Sequence, residues 1–228
     1  MNVAVILAGG KGLRLGSQTP KQMLPLGDKP VLSWSVIAFH KVNLIDKIII
    51  VSEKNLINDI KELFKNSDYP KILSVIEGGE ERSDSSYNAL ISSDFSDDDI
   101  FLFHDAARPF ISEEIIVKMI TEVGNSGACG TYVQSTDTIA LVNNSVVEKI
   151  PERSSVYSAQ TPQGFKYHLI IKAHQFQKEK KMTITDDVSL VVNMGYDVSV
   201  INGSYSNIKI TTELDLKFAE FLISGRNK

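Results

Sequence analysis

A single cysteine, Cys129, stands in a chain of 228 residues. One thiol cannot close an internal disulfide, and with only four scattered histidines, His40, His104, His168 and His174, it makes no zinc-type cluster. Long apolar runs are missing as well: Val3–Ala8 and Ile48–Val51 fall far short of the roughly 20 residues a membrane-spanning helix needs. The first of them follows Met1–Asn2 with no basic stretch before it and a glycine cluster after it, so it reads as a strand and not a leader, and the expected compartment is the cytoplasm. A net charge of −4 leaves no broad basic surface for nucleic acid.

Acid is also missing locally. From Met1 to Gly27 there is no Asp or Glu, while Lys11, Arg14 and Lys21 all fall in that window. An acidic protein that opens on a purely cationic segment offers a docking place for a small polyanion.

Short β-branched runs alternate with helical patterns. Val3–Ala8, Lys47–Ser52, Lys71–Glu77, Ile100–His104 and Gly130–Val133 read as strands, and Leu32–His40, Leu56–Phe64, Arg82–Ser92 and Glu113–Val123 as helices. This order predicts an α/β fold, with right-handed βαβ units forming a mostly parallel sheet covered by helices on both faces. Asn55 and Ser112 are the expected N-caps and Gly124 the expected helix stop. Beyond Val133 the pattern changes: Thr138–Val142 and Ser145–Ile150 flank Asn143–Asn144, a hairpin signal that predicts an arm over about 136–153 projecting from a single 1–228 domain. Helices near Lys166–Gln177, Asp187–Met194 and Glu213–Ser224 and a strand at Asp197–Ile201 complete the expectation.

The strongest chemical signal is the first strand-to-helix connection, Leu7-Ala8-Gly9-Gly10-Lys11-Gly12-Leu13-Arg14-Leu15-Gly16, followed by Pro20-Lys21-Gln22. Glycines directly after a buried strand let backbone N–H groups approach a ligand that any Cβ would obstruct, which is the physics of phosphate cradling. Neither lysine is followed by Ser or Thr, which disfavours a Walker A loop, and Gly16 comes one residue late for a dinucleotide fingerprint. A second constellation, His104-Asp105-Ala106-Ala107-Arg108-Pro109, ends a predicted strand, where open parallel sheets bind ligands. Two readings stand for Asp105: a ligand for Mg²⁺ at the phosphates, which is preferred, or a brace paired with arginine. His104 reads as a satisfied, partly buried histidine. A third group gathers Arg153, Gln160-Thr161-Pro162-Gln163, Thr185-Asp186-Asp187 and Asn207-Ile208-Lys209-Ile210-Thr211. Each has a bland account singly, as a cap, a turn or a surface lysine; together they would suit a second phosphorylated, hydroxyl-rich ligand.

Taken in order, Leu-Ala-Gly-Gly-Lys-Gly-x-Arg with Pro-Lys-Gln, Glu81-Arg82-x-Asp84-Ser85, His-Asp-Ala-Ala-Arg-Pro, Asp137-Thr138-Ile139, Gln-Thr-Pro-Gln-x-Phe, Thr-Asp-Asp-x-Ser and Asn-Ile-Lys-Ile-Thr resemble the 2-C-methyl-D-erythritol 4-phosphate cytidylyltransferases of isoprenoid precursor synthesis by the non-mevalonate pathway. The resemblance runs nearly end to end. It implies a Rossmann-like sheet and a nucleotidyltransferase that joins CTP and a polyol phosphate, with Mg²⁺, into a CDP-polyol and pyrophosphate. By the same resemblance Ala8, Gly9, Gly10, Lys11, Gly12, Gly79, Ser85, Asp105 and Ala106 would hold CTP, with Arg14, Lys21 and Lys209 on its phosphates. Arg153, Thr161 and Thr185 would hold the polyol phosphate, joined by Arg108 and Thr138 of the partner subunit in a homodimer interlocked through the arm. Asp105 would be the metal ligand. Arg14 and Lys21 are expected to stabilise charge on the α-phosphoryl group, and Arg153 and Lys209 to align the attacking phosphate.

Ala140 and Ile150-Pro151-x-Arg153 look more like the related ribitol-5-phosphate cytidylyltransferases, which make CDP-ribitol, whereas Ala106-Ala107 and Thr185-Asp186-Asp187-Val188-Ser189 look like the methylerythritol group. The alternatives are therefore ribitol 5-phosphate as acceptor and, in another class, a non-catalytic nucleotide-binding regulator.

Overall fold

Strand β1 (Asn2–Ala8) runs through the middle of the molecule, and its Val3, Ala4, Val5 and Ile6 are all fully buried. Successive side chains of a strand point to opposite faces, so both faces of β1 must be covered. The computed structural model, which describes residues 1–10, 19–65, 68–180 and 184–226, shows how. After β1 come the short pair β2 (Pro25–Leu26) and β3 (Lys29–Pro30), α1 (Val31–Lys41), β4 (Lys47–Ser52), α2 (Ile57–Leu63), β5 (Ile72–Glu77), α3 (Arg82–Leu90), β6 (Ile100–Asp105), α4 (Glu113–Ser126) and β7 (Ala128–Gln134). The chain continues through β8 (Leu141–Asn143), β9 (Val146–Lys149), β10 (Tyr157–Lys166), α5 (Tyr167–Lys180), α6 (Asp187–Asn193), β11 (Ser199–Asn202) and α7 (Glu213–Arg226).

Seven strands form one sheet in the order β11-β7-β10-β6-β1-β4-β5. Every pairing is parallel except those of β10, which is antiparallel to both β6 and β7. Ala4, Ile6, Ile48, Ile50 and Leu102 pack on one face with α1, α2 and α4; Val3, Val5, Ile49, Val51, Phe101, Phe103 and Phe165 pack on the other with α3, α5 and α6. The expected α/β architecture is what the chain adopts. A smaller cluster of Leu26, Val31, Phe110, Ile210, Ala219 and Ile223 fixes α7 beside the β2–β3 pair.

Three local expectations are corrected. Asn55 is not an N-cap: it lies within a 3₁₀ turn, Lys54–Leu56, and α2 is entered from Leu56. Gly124 does not stop α4, which runs on to a C-cap at Gly127, where φ is +85° and glycine costs nothing. The hairpin turn falls on Asn144 and Ser145, with φ of +47° and +64°, one residue later than expected. Ser112 does cap α4, its hydroxyl accepting from Ile115 N at 3.4 Å, with Glu113 and Glu114 in the favourable first turn.

The larger omission is β10, where Pro162 reads as a turn. It is a central strand nonetheless. Its ladder to β7 slips between Gln160 and Gln163, so the missing proline N–H falls at the irregularity. The buried polar side chains on either side are fully used: Gln160 binds Ser204, and Gln163 Nε2 donates to Asp186 Oδ2 at 2.7 Å while its Oε1 accepts from Asp187 N at 3.1 Å.

Candidate active site

The carboxyl ends of β1, β4, β5 and β6 open into a cleft of about 860 Å³. The chain leaves β1 to one side for β4 and β5, then returns to β6 on the other, so the cleft lies at the point where strand order reverses, the expected ligand position in an open α/β sheet. Ala8, Gly9, Gly10, Lys21, Gly79, Ser85, Asp105, Ala106 and Lys209, which the sequence singled out from five separate stretches, all line it. A Cβ on Gly10 would sit 3.4 Å from Lys21 Cε and 3.7 Å from its Nζ, so glycine lets the lysine head lie close over the loop. Lys11, Gly12 and Arg14 fall outside the described residues.

Segment 207–210 is clamped to the end of β6. Ile210 N donates to Ala107 O at 2.8 Å and Arg108 Nη1 to Asn207 O at 2.9 Å, while the Asn207 amide donates to Thr161 O at 3.0 Å. This brings Lys209 Nζ within 2.6 Å of Asp105 Oδ2. Arg82, at the first turn of α3, reaches Asp105 Oδ1 at 3.4 Å. Burial alone would raise the Asp105 carboxyl, but Arg82 and Lys209 outweigh it and hold the group well below the usual carboxylate range. The arginine partner anticipated as a brace is thus Arg82, with no direct ion pair to Arg108 among the described residues. Motif spacing alone did not mark Arg82 as part of the site.

His104 is fully buried. Its Nε2 lies 3.1 Å from Arg108 O, a carbonyl that can only accept, so Nε2 carries the proton and Nδ1 takes the Thr161 hydroxyl at 3.0 Å. The same hydroxyl accepts from Asp105 N at 3.1 Å. Burial pushes the imidazole down to about 4, so it is neutral at pH 7. Thr161, expected at the polyol phosphate, is itself only 4% exposed and spends its hydroxyl on joining β10 to the end of β6.

Arg153 and Thr138 are not in the cleft of their own chain. Both are exposed at the base of the β8–β9 arm, with Arg153 Nη2 donating to Thr138 Oγ1 at 3.0 Å. That contact places the two side chains next to one another on the surface of the same chain, whereas the resemblance would divide them between two subunits. Thr185 is exposed just before α6, whose N-cap is Asp186, accepting from Ser189 N at 3.0 Å. The described cleft is also less cationic than the opening segment suggests: Lys21, Lys54, Arg82 and Lys209 face Glu53, Glu77, Glu80, Glu81 and Asp105. Sequence reasoning missed the lining residues Ser52, Glu53 and Lys54, which carry no motif and are brought to the cleft by the end of β4, where Ser52 pairs with Ala8; Gln22, quoted within its motif but given no role, lines the cleft beside Lys21.

The family model described as 2-C-methyl-D-erythritol 4-phosphate cytidylyltransferase (IspD) matches residues 2–225. The chain belongs to this family. Among its relatives, the 2-C-methyl-D-erythritol 4-phosphate cytidylyltransferase of Clostridium perfringens (strain SM101 / Type A) is 43% identical over 223 residues, covering 97% of this chain and 98% of its own. That of Clostridium tetani is 38% identical over 227 residues, covering 99% and 92%. Of solved structures, the 4-diphosphocytidyl-2C-methyl-D-erythritol synthase of Anaerococcus prevotii superposes with a TM-score of 0.87 at 32% identity, over 98% of this chain and 96% of that one. The Francisella tularensis enzyme of the family superposes at 0.82 with 31% identity, over 96% and 98%. The chain is therefore a cytidylyltransferase, and its mostly parallel α/β sheet is the fold of this family. Among the described residues no helix is long and apolar enough to cross a membrane.

Proposed function

We propose that the protein transfers the cytidylyl group of CTP to 2-C-methyl-D-erythritol 4-phosphate, giving CDP-methylerythritol and pyrophosphate. A match of the family model over residues 2–225 carries this reading, ahead of ribitol 5-phosphate as acceptor and ahead of a non-catalytic regulator. An oxygen of the acceptor phosphate forms the new bond to the α-phosphorus, and the bond from that phosphorus to the β-phosphate bridging oxygen breaks, releasing pyrophosphate. A phosphate monoester with a second pKa near 6 is already largely dianionic at pH 7, so no general base is required. That agrees with His104 being neutral and engaged on both ring nitrogens.

Two anions must be brought together, so the work is positioning and charge stabilisation. In this reading the glycine loop after β1 receives the phosphates, Lys21 lies over them, Ser85 and Gly79 border the nucleoside, and Lys209 faces the phosphate that meets it. Mg²⁺ bound with a nucleotide takes one or two carboxylates, phosphate oxygens and water, and the Asp105 carboxylate in the cleft fits that modest demand. When bound, the ion would neutralise phosphate charge. Among the described residues no three or more His, Cys, Asp or Glu side chains converge to hold a metal without the nucleotide.

The acceptor end of the site is completed, in our reading, by a second copy of the chain. Arg153 and Thr138 stand on an arm whose Leu141, Val142, Val146, Val147 and Ile150 are each at least half exposed, an apolar surface that a homodimer would cover. The deciding experiment supplies CTP and Mg²⁺ with each polyol phosphate in turn and measures pyrophosphate. Release with methylerythritol phosphate and little with ribitol phosphate is expected; the reverse transfers the protein to the ribitol reaction, and CTP binding with neither product makes it a regulator.

A further inference from the structure

Arg82 lies between two carboxylates. Its Nη1 donates to Asp187 Oδ2 at 2.5 Å and its Nε to Asp105 Oδ1 at 3.4 Å. Asp187, the first residue of α6, is fully buried, and a lone carboxylate there would be costly without a cationic partner. Among the described residues its other oxygen, Oδ1, has no hydrogen-bond partner, and His174 Nε2 stands 4.0 Å from it. The hold of Asp187 is therefore on Arg82. On the far side, Asp105 Oδ2 grips Lys209 Nζ at 2.6 Å. Asp187, Arg82, Asp105 and Lys209 form one alternating row from the buried start of α6 to the wall of the cleft.

Lys209 needs such a row. Its side chain is 39% exposed, and an ammonium on a flexible four-carbon stem has no preferred direction of its own. Asp105 supplies the direction, but only if its carboxylate is itself held in one orientation. Its backbone is fixed by Thr161, whereas its side chain is fixed by Arg82, whose planar fork is in turn anchored by Asp187. We propose that Arg82 and Asp187 are positioning residues for this reaction: the buried Asp187 anchors Arg82, Arg82 orients Asp105, and Asp105 aims Lys209 into the cleft. The functional half of this inference rests on the reading of Lys209 as a phosphate-facing cation.

The test reads the aim of Lys209 directly. Trace acetylation of the metal-free protein with acetic anhydride in EDTA, followed by peptide mass spectrometry, reports the reactivity of Lys209 relative to the exposed Lys41. Asp187→Asn should raise Lys209 labelling several-fold. It should also lower kcat about tenfold or more while leaving CTP affinity near the parent value. In a Lys209→Ala background the same substitution should change kcat by less than about twofold, since an effect that passes through Lys209 cannot be lost twice. Unchanged labelling overturns the proposal whatever the turnover, and so does an equal loss of kcat in both backgrounds. Raised labelling with a fully active Lys209→Ala protein keeps the row and sinks the reading of Lys209 itself. If Asp187→Asn does not fold, Arg82→Lys, which keeps the cation and loses the fork, takes its place in the same series. Failure of both variants to fold makes the row a structural clamp only and overturns the proposal.

Discussion

The Ser85 hydroxyl accepts the Gly79 amide N–H at 3.1 Å and donates to the Glu81 carbonyl at 3.2 Å. One side chain thereby ties the loop after β5 to the first turn of α3, where Glu81 and Asp84 form a reciprocal capping box. A Cβ on Gly79 would lie 2.1 Å from Asp84 Cβ and 3.1 Å from its backbone carbon, a clash that no side-chain rotation relieves. Gly79→Ala should cost about 1–3 kcal/mol of stability and weaken CTP binding, because the cap and the cleft wall move together. Urea unfolding and calorimetric CTP titration check this; a variant with parent values in both would show that the loop is looser than its contacts imply.

Lys21 lies over Gly10 in the cleft and is the described cation of the acid-free opening segment. If it stabilises charge on the reacting phosphates, Lys21→Ala should lower turnover about 10²–10³-fold at saturating CTP, the usual cost of losing one preorganised donor. Steady-state pyrophosphate release measures it. Near-normal turnover would move the catalytic burden to the segment that follows Gly10.

The sheet was legible in the sequence wherever burial is apolar. Runs such as Ile48–Val51 have one sensible fate, and the alternation of strands and helices fixed both the parallel order and the edge at which the cleft opens. It was not legible where burial is polar. β10 carries Gln160, Thr161, Pro162 and Gln163 through the middle of the sheet because their side chains hold loops from residues 185–187 and 203–207, and those partners are distant in sequence. The same blindness hid Arg82, whose importance comes from two carboxylates brought to it by β6 and α6. The glycine loop, Asp105 and Lys209 were found from motif order; that Arg153 and Thr138 sit on the arm and touch one another required the fold.

Stability should decline in mild acid for an identifiable reason. Burial pushes His104 and His174 down to about 4 each, whereas an imidazole in the unfolded chain titrates near 6.5. Between those values the unfolded chain takes up protons that the native state refuses, so stability falls as pH drops from about 6.5 towards about 4 and levels off below. The full span is on the order of 3 kcal/mol per histidine. Asp105 acts in a different window: its carboxyl is depressed, so its contribution is complete above the ordinary value of 3.8 and is lost only as pH falls below it. Urea unfolding at pH 7 and pH 5 should show the loss, and His174→Gln should remove about half of it. A midpoint unchanged between pH 7 and pH 5 would mean that both rings take up protons in the native protein as readily as in the unfolded chain.

The contact between Arg153 and Thr138 predicts how mixed assemblies behave. If the arm completes the site of the partner subunit, Arg153→Ala removes the acceptor end of one site while Lys21→Ala removes the nucleotide end of another. A heterodimer of the two variants then carries one site with both defects and one with neither. At a polyol phosphate concentration well below the KM of Arg153→Ala, where both variants turn over little, unfolding and refolding them together should restore about a quarter of the parent activity, since about half of the randomly formed dimers are mixed and each regains one of two sites. Thr138→Ala should complement Lys21→Ala in the same way and should not complement Arg153→Ala, because the two arm residues are lost or supplied together. Arg153→Ala alone should raise KM for the polyol phosphate while leaving CTP binding near the parent value, since it is absent from the residues that line the nucleotide cleft. Recovery of activity by the Arg153→Ala and Thr138→Ala mixture would break the unit apart, and no recovery with Lys21→Ala would return the arm to its own chain.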